Sequence, residues 1–188
     1  IQKALEYLKK WLLHHNVDFT YDLRLKDFVI EKAFMLDDEP SLFSSFHSDK
    51  DEELFDIIIS NPPYFKISKD DPRAHAAARV VYGQPNIYAL FMAISARLLK
   101  IQGELIFITP RSYASGPYFR SFREFFFSEM IPLRFHLFES RTEAFDRDAV
   151  LQENIILHAR RNGKMHDDAK IIISISNGSR DLKKPKQR

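Results

Sequence analysis

Cysteine is absent from this chain of 188 residues. Disulfides and cysteine-ligated zinc are thereby excluded, and such usage fits a reducing, cytoplasmic compartment. Charge of one sign is not in excess: 28 Lys and Arg stand against 26 Asp and Glu, for a net charge of +2. No global electrostatic footprint for nucleic acid follows, although focusing in a local cleft needs no net charge. Long apolar runs are missing too. None nears the roughly 20 residues that span a bilayer, and no signal peptide is visible, so no membrane partner is expected. Glycine is scarce, with only Gly83, Gly103, Gly116, Gly163 and Gly178, and no two of them form a G-x-G turn. The first residue is Ile1 and not methionine, inside a helical pattern, so the chain reads as a piece of a longer protein.

What is present is ordinary for a globular domain, with 45% apolar and 29% charged residues. Seventeen Phe and seven Tyr are a heavy aromatic load, suited to core packing and in places to stacking on planar ligands. Ile1, Leu5, Leu8, Trp11 and Leu12 recur at helical spacing, so the chain opens on an amphipathic helix. A short strand is expected in "YDLRLKDFVI", then a polar loop or short exposed helix in "DDEPSLFSSFHSDKDEE". The strand "LFDIIIS" is apolar at successive positions, as when both faces of a parallel sheet are covered. About twenty irregular polar residues follow from Lys66, a length that points to a functional loop.

Ile87, Leu90, Phe91, Ile94 and Leu98 mark a second helix, closed by Gly103 and followed by the strand "ELIFIT". A third helix covers "PYFRSFREFFFSEM", with Pro117 near its start. Strands "LRFHLFE", "NIILHAR" and "KIIISIS" complete the pattern and leave room for an antiparallel pair. The alternation predicts a three-layer α/β domain over 1–178, with 179–188 as a basic linker or tail.

Asn61, Pro62, Pro63 and Tyr64 fall at the carboxyl end of "FDIIIS", where open α/β sheets bind ligands. Proline fixes its own backbone angle and restricts the residue before it, so the Asn61 side chain and the Pro62 carbonyl are held as two stiff acceptors. A planar, conjugated NH2 group suits them. Accepting both of its N–H groups orients the nitrogen and favours the positive charge that develops as it attacks. The Tyr64 ring can stack on the base that carries the amine. The competing reading is a strand-ending turn with an exposed tyrosine.

The order "RLKDFVI", "FDIIISNPPYF", "NIYALFMAISARLLKIQGELIFITPRSY" closely resembles the N6-adenine-specific DNA methyltransferases of restriction-modification systems, which are class I S-adenosylmethionine-dependent methyltransferases. The match runs from Leu23 to Tyr113, with a weaker fit of the last strands. The resemblance implies a Rossmann-like sheet and methyl transfer from S-adenosylmethionine to an adenine flipped out of double-stranded DNA. It makes Asn61 and Pro62 the amine acceptors, Pro63 the stiffener and Tyr64 the stacking platform. Asp27 and Phe28 match the family's pair at the cofactor adenine, or are a helix cap and a core aromatic; Phe91 matches a position near the same adenine, or is core. Arg111, Ser112 and Tyr113 line the DNA cleft or cap their strand. No metal and no covalent enzyme intermediate are implied. The scattered histidines fit this, since His14 and His15 do not share a helix face.

The pattern breaks where the family has its glycine-rich turn. The fold expected is therefore incomplete, lacking the first strand, its helix and the second strand, and with them the N-terminal cofactor-binding segment. A target-recognition domain is also expected outside the chain. Alone, the chain is expected neither to bind cofactor usefully nor to methylate DNA. The Asn-Pro-Pro-Tyr turn is shared with methyltransferases of RNA amino groups and of release-factor glutamine, and a non-catalytic module binding DNA or a partner is a further alternative. Asp70, Asp71 and the run Asp49 to Glu53 read as solvated loop charge.

Overall fold

The computed structural model describes residues 1–37, 54–78, 80, 85–138, 154–161, 170–176 and 186–187. Helix α1 (Gln2–Leu13) opens the chain and is followed by α2 (Phe28–Lys32) and a 3-10 turn (Ala33–Leu36). Strand β1 (Phe55–Ser60) leads through α3 (Pro72–Ala76) to α4 (Ile87–Leu98), β2 (Leu99–Pro110) and a second 3-10 turn (Arg111–Ala114). Then come α5 (Arg120–Glu129), β3 (Met130–Phe138), β4 (Asn154–Arg161), β5 (Ile172–Ser176) and the two-residue β6 (Lys186–Gln187). The strands form one mixed sheet in the order β1-β2-β4-β3-β5-β6. β1 and β2 are parallel, as are β3 and β5, while β4 runs antiparallel to both of its neighbours.

The α/β class follows the sequence expectation, and so does the antiparallel pairing near the C-terminal end. One face of the sheet, with Leu105, Phe107, Ile155, Leu157 and Ala159, is fully buried. Ten of the twelve residues of α4 are buried, because this helix packs on the sheet, on α5, on α2 and on the first 3-10 turn. At its far end Arg161 donates to the carbonyl of Arg97 across 2.8 Å and to that of Leu99, while Arg97 pairs with Glu129 at 3.0 Å. These bonds fasten the end of α4 to β4 and α5.

Three expectations are corrected. The strand anticipated in Tyr21 to Ile30 does not form: Asp27 accepts from the N–H groups of Val29 and Ile30, which starts helix α2 instead. Gly103 does not close α4, which ends at Leu98; it lies in an irregular step of β2, where a Cβ would meet the carbonyl oxygens of Lys100 at 2.9 Å, Phe55 at 3.0 Å and Asp56 at 3.1 Å. Glycine is needed there for the close approach of two backbones. β1 is covered less than its apolar run implies. Among the described residues it is an edge strand, with Ile57 58% and Ile59 73% exposed.

Smaller differences concern boundaries. The segment after Tyr64 contains α3, and α5 starts at Arg120, whose N–H bonds the Pro117 carbonyl at 3.1 Å in the preceding turn. Helix α1 forms as expected but buries none of its residues. The polar stretch after Asp37, the run Asp49 to Glu53, the end of the long loop and most of 179–188 lie outside the described residues.

Candidate active site

At the carboxyl end of β1 the chain leaves the sheet through Asn61 to Tyr64, beside the end of β2. Pro62 is buried, Asn61 and Pro63 are exposed, and Tyr64 is half-buried. The Tyr64 hydroxyl lies 2.8 Å from the Ile108 carbonyl and also contacts Asn61 Oδ1. A hydroxyl has one proton, so only one of these oxygens receives it at a time, and the second lone pair of Asn61 Oδ1 remains available. Burial pushes the Tyr64 hydroxyl up to about 12, so it stays neutral at working pH.

Tyr64 meets Tyr88 edge to face, with ring centroids 6.4 Å apart. Tyr88 is buried on the first turn of α4, and its hydroxyl bonds Ser112 Oγ at 2.8 Å. Burial raises the Tyr88 hydroxyl to about 12 as well, against the lowering effect of that bond. The turn that carries Ser112 is held in place by Arg123, whose guanidinium donates to the carbonyls of Tyr113 at 3.0 Å and Gly116 at 2.8 Å. Of the three residues expected to line a cleft or cap a strand, Tyr113 is fully buried, Ser112 holds Tyr88 and Arg111 is exposed.

Asp27, Phe28 and Phe91 come together. Asp27 Oδ1 accepts from Val29 and Ile30 at 3.1 Å each, and the rings of Phe28 and Phe91 lie 4.8 Å apart at 32°. Of the two readings left open for this group, the geometry carries the structural one: Asp27 caps a helix, and the two rings pack against the core. The capping bonds fall on Oδ1, and Oδ2 lies 3.9 Å from Nη1 of Arg73.

Helix α4 joins the two groups. Tyr88 and Phe91 are three residues apart, and side chains at that spacing are neighbours on a helix surface, about 5–6 Å apart at Cβ. Tyr88 touches Tyr64 and Phe91 touches Phe28, so one turn of helix separates the strand-end turn from the Asp27 group. The start of α4 is itself tied to the residues after Tyr64: Ile87 N–H bonds the Phe65 carbonyl and Ile67 N–H the Pro85 carbonyl, both at 2.9 Å.

Two residues of this neighbourhood escape the sequence reading. Tyr88 sits in a run of apolar residues and looks like core. Asp71 is not solvated loop charge: it caps α3 through the Arg73 N–H at 2.9 Å and accepts from Nε and Nη2, one edge of the Arg73 guanidinium, at 2.9 and 2.7 Å. The signal was available, since Asp followed by Pro is a helix start. Among the described residues no group of three His, Asp or Glu side chains gathers as for a metal ion.

The sheet and its helices define the class. The fold is similar to that of a class I S-adenosylmethionine-dependent methyltransferase from Listeria monocytogenes, with a TM-score of 0.53 at 16% identity over 66% of this chain and 38% of that one. It is similar also to the M protein of the type I restriction enzyme EcoKI, with a TM-score of 0.50 at 13% identity over 68% of this chain and 26% of that one. Residues 3–145 match the Eco57I restriction-modification methylase family, and the chain belongs to that family. It is 37% identical over 163 residues to the Type II methyltransferase M.BsuBI of Bacillus subtilis, covering 87% of this chain and 31% of that protein. It is 36% identical over 138 residues to the Type II methyltransferase M.PstI of Providencia stuartii, covering 73% and 26% respectively. The chain thus spans less than a third of the curated relatives it matches.

Proposed function

We propose that the chain is the amine-binding part of a DNA methyltransferase that modifies adenine at N6 within a restriction-modification system. The observation that supports this most is the rigid strand-end turn Asn61 to Tyr64, its ring anchored at Ile108 and set one helix turn from the Asp27 group. In this reading Asn61 Oδ1 and the Pro62 carbonyl accept the two N–H groups of the target amine. Both bonds strengthen as positive charge develops on that nitrogen, which lowers the barrier to attack. Pro63 stiffens the turn, and the Tyr64 ring stacks on an adenine flipped from double-stranded DNA.

The donor set at Asp27, Phe28 and Phe91 fits the adenine end of S-adenosylmethionine: aromatic surface for the ring and, for the exocyclic amine, the Asp27 oxygen that the helix cap does not use. When bound, the cofactor supplies the methyl group on its sulfonium. The chain offers no glycine-rich turn for the rest of that molecule. We assign 1–178 to the catalytic domain and 179–188 to a basic tail, of which Lys186 and Gln187 pair with β5 as β6, and place the glycine-rich segment and a target-recognition domain outside these residues.

The test is methyl transfer by the full-length protein to duplex DNA, RNA and release factor, with the product digested and identified by mass spectrometry. N6-methyladenine from duplex DNA is expected. N4-methylcytosine would overturn the adenine assignment, methylated RNA or glutamine the DNA assignment, and no titratable cofactor binding the catalytic reading itself.

A further inference from the structure

Arg73 reaches towards Asp27 and towards Phe65, the residue that follows the Asn61 to Tyr64 turn. Its Nε and Nη2 fork onto the two oxygens of Asp71, at 2.9 and 2.7 Å. This leaves Nη1, which faces Asp27 Oδ2 at 3.9 Å. Its guanidinium carbon lies 5.8 Å from the centre of the Phe65 ring, on the residue directly after Tyr64. Asp27 Oδ1 is already taken by the N–H groups of α2, so the oxygen that Arg73 faces is the one left for a ligand amine.

A planar fork fixed on one carboxylate has a defined direction for its third edge, which an ammonium group lacks. Helix α3 has only five residues, too few to be stable by itself, so its place depends on such contacts. The side chains of Arg73 and Asp27 are 27% and 48% exposed. The pair is therefore screened by water, and its effect is one of geometry more than of strength.

We propose that Arg73 is a positioning residue that ties the segment following the Asn61 to Tyr64 turn to the Asp27 cap, and so holds the ligand-facing oxygen of Asp27 in place. This rests on the reading of Asp27 as a cofactor contact. The simpler alternative is that Arg73 only closes its own turn with Asp71.

A double-mutant cycle in the full-length protein separates the two. Arg73→Ala, Asp27→Asn and the double variant are titrated with S-adenosylmethionine by calorimetry, with KM and kcat of methyl transfer measured in parallel. Arg73→Ala is expected to weaken cofactor binding about fivefold, the upper range for a part-exposed ion pair. KM for the cofactor should rise with it while kcat changes by less than about twofold, the pattern of lost ground-state binding. In the Asp27→Asn background the Arg73→Ala effect should vanish, because coupled residues are not additive. Arg73→Lys, which keeps the charge and loses the fork, should not restore affinity, and it carries the same comparison if the alanine variant does not fold.

An Arg73→Ala effect that persists undiminished in the Asp27→Asn background would overturn the proposal in favour of the local turn. So would unchanged affinity in Arg73→Ala when Asp27→Asn alone weakens binding. If Asp27→Asn itself binds cofactor normally, the cofactor reading of Asp27 falls first and this inference with it.

Discussion

The hydroxyl of Tyr64 and the carbonyl of Ile108 meet at 2.8 Å, across the ends of two parallel strands. A side chain on the turn after β1 is thereby anchored to the backbone of β2. Tyr64→Phe keeps the ring and removes the anchor, leaving a carbonyl without its partner, at a cost of about 1–2 kcal/mol. We expect a small fall in melting temperature and a larger loss in kcat than in substrate KM. Tyr64→Ala should lose both anchor and ring and abolish transfer; thermal denaturation and steady-state kinetics of the full-length protein check both.

The same hydroxyl predicts a response to alkali. Its folded pKa is pushed up to about 12 from an ordinary value of 10.0, so the folded state holds its proton more tightly than the unfolded chain. That contribution to stability is complete below pH 10 and is lost as pH rises towards about 12. Tyr88 is shifted in the same direction for the same reason. Denaturant melts from pH 9 upward should show the decline, with a shallower slope in Tyr64→Phe; an unchanged slope would remove Tyr64 as a cause.

Gly103→Ala should be costly although it adds one methyl group. The new Cβ would press on three backbone oxygens that belong to the pairing of β1 with β2, and none of them is a flexible side-chain end. Overpacking of this kind costs about 1–3 kcal/mol. Hydrogen exchange should localise the loss to residues 55–60 and 99–107, with α5 unaffected.

The exposed face of β1 predicts self-association. Ile57 and Ile59 project from a strand that is at the sheet edge among the described residues, a combination that invites pairing with other chains. Sedimentation of residues 1–188 should show concentration-dependent association, reduced by Ile57→Lys and Ile59→Lys with little change in the melting temperature of the remainder. A monomer at all concentrations would show that this face is protected in solution.

The sequence makes some of this plain and hides the rest for definite reasons. "FDIIIS" announces a strand, and the Asn-Pro-Pro-Tyr turn at its end announces a site, because prolines leave few conformations open. The periodicity of Ile87, Leu90, Phe91, Ile94 and Leu98 locates the start of α4, whereas Gly103 does not mark its end at Leu98. Asp27 is harder: an apolar run after it reads as strand until its carboxylate is seen to capture two N–H groups. The exposure of β1 is not legible from its own residues, since an apolar run cannot say which neighbours cover it. Tyr88 and Arg73 act through partners distant in sequence or on a five-residue helix, where periodicity carries no signal.

Helix α4 carries Tyr88 and Phe91 on one rigid rod, with Tyr64 against the first and Phe28 against the second. The helix thus works as a ruler between the two groups: its rise per residue, about 1.5 Å, sets their separation, and no loop length enters. One inserted residue between Tyr88 and Phe91 would turn the second contact by about 100° and unmake the pairing, whereas insertions in the loop before Ile87 would leave the gauge intact.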